Sequence, residues 1–136
     1  MLIMKANKKF TVVIAAVLLV SMLTLAVSAY SNSFSIPTNS TSWNAKDNGV
    51  LWGFDNGTTA TWQLVNTSAG DRSLSGQLKY VIKLWPDADV GFPLSVNGGY
   101  GASNTATFVP YTDRGYYPVI TTNTTDGVTG TVSAWQ

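Results

Sequence analysis

Gln77 to Leu84 is the stretch that most narrows what this chain can fold into. Leu78, Tyr80, Ile82 and Leu84 fall on one side of a two-residue period, and Gln77, Lys79, Val81 and Lys83 fall on the other. Alternation of this kind marks a strand with one face in a core and one in water. Trp85-Pro86-Asp87-Ala88-Asp89 closes it. Weaker copies of the pattern run through the rest of the chain. Phe34 and Ile36 alternate with serines as a first short strand stopped by Pro37, and a polar linker then continues to about Asn48. Val90–Val96 reads as a short strand kinked at Pro93, and Thr105–Val109 as another. Tyr116–Thr121 is a strand in which Pro118 marks a sheet edge or a bulge. Val128–Trp135 is the last strand, paired inside a sheet. Asn66–Gly76 reads as a loop.

Val50–Phe54 and Thr58–Val65 read as a hairpin whose register can be argued. A two-residue Asn56-Gly57 turn would join the aromatic face of one strand to the polar face of the other. A three-residue Asp55-Asn56-Gly57 loop, with Gly57 left-handed, sets Val50 opposite Trp62, Trp52 opposite Ala60 and Phe54 opposite Thr58. That restores one apolar face, so the longer loop is expected. About seven or eight short strands, with turns about every 8–12 residues, predict an all-β fold, a small antiparallel β-sandwich. The region is rich in Thr, Val and aromatics, which favour strands, and in Gly and Asn, which favour turns.

Ahead of this domain lies a segment of different character. Lys5, Lys8 and Lys9 precede an uncharged, mostly apolar run from Phe10 to Val27, and Val27-Ser28-Ala29 supplies small residues for cleavage after Ala29. A basic end, an apolar middle and a small-residue site make a secretory signal peptide. The run of about 18 residues also approaches the length of a membrane span, so an uncleaved anchor is the alternative. Either way the lysines stay in the cytoplasm and the rest faces outward. The expected organisation is a signal peptide over 1–29, an extended arm or linker over 30–48 and a β-sandwich domain over 49–136, secreted or extracellular. Membrane contact is expected only through residues 10–27, if they are retained.

Three of the eight bases lie in that leader, which leaves five against seven aspartates and no basic cluster. Nucleic acid, which demands several bases on one face, is not an expected partner. The chain holds no cysteine, so the domain must stand on its core and its sheet hydrogen bonds. An exported domain of this size without disulfides fits a bacterial source.

The chemistry-bearing inventory is short. There is no His, Cys or Glu anywhere, which removes Ser-His-Asp and Cys-His sites and the usual zinc sites. Asp87 and Asp89 could form half a calcium loop, with Asp71 or Asp126 as a third ligand. The Gly and Glu spacing of an EF-hand is missing, however, and a polar loop closing the strand explains the pair. No cofactor or metal is expected. The four Asn-x-Ser/Thr triplets, at Asn39, Asn56, Asn66 and Asn123, are what an Asn- and Thr-rich chain produces by chance.

Aromatic side chains are the one surplus. Trp52, Trp62 and Tyr80 fall on apolar faces and belong to the core. Tyr100, Tyr111, Tyr116 and Tyr117 gather around turns, and Trp135 falls on the Thr129-Thr131-Ser133 side of its strand. Tyrosine offers a rigid apolar plate with a polar tip, so these five are the candidate ligand-binding residues. The expected function is a secreted, non-enzymatic binding domain for extracellular glycan, cell wall or a surface protein. The alternative is a bacteriocin-like or pore-forming toxin, in which Thr58–Val65 and Val128–Trp135 would rearrange into membrane-spanning strands.

Overall fold

In the computed structural model, which describes residues 29–136, eight strands form two four-stranded antiparallel sheets that share one core. The leader assigned to residues 1–29 lies outside the described residues except for Ala29, which opens the first strand. The strands are β1 (Ala29–Ile36), β2 (Ser42–Asn44), β3 (Ala60–Asn66), β4 (Leu74–Tyr80), β5 (Ala88–Val96), β6 (Ser103–Phe108), β7 (Tyr116–Thr122) and β8 (Val128–Trp135). The first sheet has the order β1-β8-β3-β6 and the second β2-β7-β4-β5. The all-β sandwich expected from the alternation is therefore what forms, and β8 lies inside its sheet, between β1 and β3.

Period-two burial builds the core. Ala60, Trp62, Leu64 and Asn66 of β3 point inward, as do Val128, Gly130, Val132 and Ala134 of β8. Leu74, Gly76 and Leu78 of β4 and Tyr116, Pro118 and Ile120 of β7 close the core from the other sheet. Asn66 is fully buried but satisfied: its side-chain amide donates to Arg72 O at 2.6 Å and its side-chain oxygen accepts Ser68 N–H at 2.9 Å. It anchors the β3–β4 connection at little cost because both ends of the amide are paired.

Four expectations change. Val50–Phe54 does not form a hairpin with β3. Trp52 instead exchanges two backbone hydrogen bonds with Tyr116, at 2.8 and 2.9 Å, and Trp52 and Phe54 enter the core from there. Gly57 is left-handed as expected, with φ 80°, but its loop is tied down by the Gln136 amide. That amide bonds Asp55 N–H and O at 2.7 Å each and Thr58 O at 2.9 Å. The strand read as Gln77–Leu84 runs instead from Leu74 to Tyr80, so the loop expected over Asn66–Gly76 ends early. After Tyr80, Val81 N–H goes to Gly115 O and Ile82 N–H to the Asp87 carboxylate, which takes both residues out of the ladder. The stretch read as an arm holds the short strand expected at Phe34 and Ile36, lengthened to β1 and paired with β8, and adds β2, paired with β7, and a 3₁₀ turn over Lys46–Asn48.

Pro118 shows how a proline sits in an inner strand. It opposes Leu78 of β4, but on its other side β2 has already ended. Pro118 O accepts Ala45 N–H at 3.1 Å, and Ala45 O is occupied by the N–H groups of Asn48 and Val50. No donor is needed from Pro118, so the residue occupies a local edge, as proline requires.

Candidate functional site

The two ends of the sandwich differ. One end gathers the starts of β1, β3, β5 and β7 and the finishes of β4, β6 and β8. Here the β6–β7 loop turns at Tyr111–Arg114, with Arg114 N–H on Tyr111 O. The Arg114 guanidinium lies 4.4 Å from the ring centre of Tyr80 and 4.4 Å from that of Tyr111. Both rings attract the cation through their π faces, and together they fix its plane. Asp113 is its one acidic neighbour within salt-bridge range among the described residues, at a loose 4.0 Å. A hollow of about 370 Å³ opens between Arg114, Lys83 and the backbone after Tyr80. A second, of about 240 Å³, lies between Tyr111, Arg114, Val109 and Asp89.

A carboxylate organises the adjoining hairpin. Asp87 Oδ2 accepts the Tyr117 hydroxyl at 2.6 Å and the Lys46 ammonium at 2.7 Å, and Oδ1 accepts Ile82 N–H at 3.1 Å. The hydrogen bond from Lys46 leads, with that from Tyr117 next, in holding the Asp87 carboxyl down to about 2. Burial, then the neighbouring Asp87, pushes the Tyr117 phenol above its usual range. Asp89 is bound by Lys79 at 2.6 Å. The two aspartates weighed as calcium ligands therefore each hold an ammonium group instead. Among the described residues no group of three or more His, Cys, Asp or Glu side chains could hold a metal ion.

With Asp87 fixed, the hairpin tip is held out from the body. Leu84 has φ 64° and is 101 % exposed, and Trp85 is 74 % exposed. A left-handed Leu is strained by roughly 1–2 kcal/mol. On the flank of β5, Gly91-Phe92-Pro93 arch outward opposite Gln77, whose amide donates to the carbonyls of Leu78, Val90 and Gly91. Gly91, at φ 62°, makes that arch without strain, and Phe92 stands 91 % exposed on it. Such a bulge also blunts an edge strand against pairing with another chain.

The five aromatic residues picked from the sequence do not converge. Tyr111 is exposed beside Arg114, and Trp135 is partly exposed on the outer face of the first sheet at the same end. Tyr116 is buried in the core, where its hydroxyl accepts Tyr111 N–H at 2.9 Å and so positions that loop. Tyr117 is buried against Asp87. Tyr100 is exposed, but in the β5–β6 loop at the opposite end, beside Asn66. Sequence reasoning did not single out Arg114. The signal available was an arginine three residues after Tyr111 in the β6–β7 loop.

No protein-family model matches this chain, and no curated protein matches it in sequence. Among solved structures, the crystal structure of the Yersinia pseudotuberculosis-derived mitogen is similar over 79% of this chain and 84% of that one, with a TM-score of 0.40 and 10% identity. At that distance the likeness carries no functional argument.

Proposed function

We propose that this chain is an exported, non-enzymatic binding domain that recognises an extracellular glycan at the Arg114 end of the sandwich. The observation that carries the reading is the guanidinium clamped between Tyr80 and Tyr111 with an open hollow on each side. A sugar ring packs on a tyrosine plate, and a fixed guanidinium donates to its hydroxyls or to a carboxylate. The absence of His, Cys and Glu supports binding without turnover. So does the commitment of Asp87 and Asp89 to Lys46 and Lys79. The pore-forming alternative draws no support from the strands first considered for it. β3 and β8 are the two inner strands of the first sheet, and both would have to abandon partners on each side.

The test is binding of the protein to cell-wall polysaccharide and to panels of neutral and acidic glycans, compared with Arg114→Ala and Tyr111→Ala. Loss of about tenfold or more in affinity in each variant, the scale of a contact worth about 1.4 kcal/mol, supports the reading. Binding that survives both substitutions, capture of a protein in place of any glycan, or turnover of a substrate overturns it.

A further inference from the structure

We propose that the end of the sandwich bearing the β4–β5 hairpin rests on a lipid bilayer, with Leu84 and Trp85 reaching into the interface. Three observations point there; the tip flanks the Arg114 hollows at the same end, so the glycan of the proposed function would be one met at the membrane surface. The first is the tip itself. Its two apolar side chains are almost wholly in water, and they are held there by a strained Leu84 and by the Asp87 and Gly115 hydrogen bonds behind them. A strained, apolar, outward-pointing turn is costly in water, and such strain persists where function retains it. Tryptophan beside leucine is the pairing that partitions into a headgroup boundary.

The second observation is polarity along the long axis. Of the exposed large apolar side chains, Leu51, Leu84, Trp85, Val109, Tyr111 and Trp135 belong to this end or its loops, Phe92 to the middle of β5, and Tyr100 to the other end. The opposite end turns through polar loops such as Asn97–Gly101 and Asn123–Gly127. Apolar exposure gathered on one end of a small domain marks a contact surface. The third is where the chain enters the fold. β1 begins at Ala29, paired with Trp135 at this same end, two residues after the apolar run Phe10–Val27. In the uncleaved alternative, that run would tether this end, and not the other, to the lipid.

Charge decides which lipid. Asp87 and Asp89 are matched by Lys46 and Lys79, and Asp113 stands beside Arg114, which leaves Lys83, next to Leu84, as a single positive charge at the tip without an ion pair among the described residues. Contact should therefore form on zwitterionic phosphatidylcholine and depend little on salt, unlike a polybasic patch.

The chain has no cysteine, so a single introduced thiol labels one site cleanly. The full chain is reconstituted with phosphatidylcholine vesicles, carrying an environment-sensitive fluorophore on Leu84→Cys, on Trp85→Cys or on Tyr100→Cys at the far end. All three positions are exposed, so an unchanged unfolding midpoint confirms that each variant folds. A blue-shifted emission, quenched by a quencher carried on the lipid, is expected at 84 and 85 and not at 100. Water-like emission at all three sites overturns the proposal. So does a shielded probe at 84 or 85 that the lipid quencher fails to reach, since protein would then be covering the tip.

Discussion

Tyr117 donates its phenolic proton to Asp87 at 2.6 Å, tying the start of β7 to the loop that follows β4. The same carboxylate oxygen takes the Lys46 ammonium, so one buried-side anion joins three separate parts of the second sheet. Its consequences are measurable in stability, in pH dependence and in the posture of the hairpin.

Stability should fall in acid over a defined window. Asp87 sits near 2 when folded against its usual 3.8, so as pH drops the unfolded chain takes up the proton first. The stabilisation is complete above about pH 4 and is lost between about 4 and 2. The Tyr117 phenol is held above its usual 10.0, so the unfolded chain ionises first in alkali and stability falls again above that pH. Denaturation midpoints measured across pH should show both losses. Asp87→Asn should remove most of the acid limb and cost about 2 kcal/mol at neutral pH.

Leu84→Asn separates stability from contact. Asn tolerates the left-handed turn position that strains Leu84, so the variant should be more stable by about 1 kcal/mol. It should also weaken the interaction of the tip with vesicles. A destabilised variant in urea unfolding would show that the turn is not strained by its leucine.

Gln77 holds the β5 arch by donating to carbonyls, so the sign of its replacement matters. Gln77→Ala should cost about 1 kcal/mol through lost hydrogen bonds. Gln77→Glu should cost more, because a carboxylate would face the carbonyls of Val90 and Gly91 without a proton to offer. Equal midpoints for the two variants would contradict the arrangement.

Gly130 packs where no side chain fits. A Cβ there would lie 2.5 Å from the Phe34 ring and 2.5 Å from Val65 O, and the latter is backbone that cannot step aside. Gly130→Ala should therefore cost about 3 kcal/mol, read as a lowered thermal midpoint.

Arg114→Lys should bind glycan as poorly as Arg114→Ala. A lysine keeps the charge but loses the flat guanidinium that fits between Tyr80 and Tyr111. Full rescue by lysine would mean that charge alone, and not the clamped plane, is recognised.

The alternation of apolar and polar residues made β3 and β8 legible to within a residue or two, because both faces of those strands obey burial strictly. The finish of β4 was not legible. Ile82 and Leu84 continue the period, and what stops the strand is a carboxylate five residues on and a carbonyl from another loop. Local matching chose a sound apolar face for Val50–Phe54 and the wrong partner for it, since Tyr116 lies far along the chain. The tyrosines failed for a topological reason. Tyr100 and Tyr111 occupy consecutive turns with β6 between them, and one strand suffices to send them to opposite ends. Arg114 was invisible because its clamp unites a loop residue with the last residue of β4.

Where β8 lies has a bearing on the order in which the chain folds. The sole strand partner of β1 among the described residues is β8, with Ser31 and Ser133 facing each other 102 positions apart. The first residues of the sandwich thus have nothing to zip against until almost the last ones arrive. Closing so long a loop is slow, so the pairing of β1 waits on β8 while strands between them already have their partners.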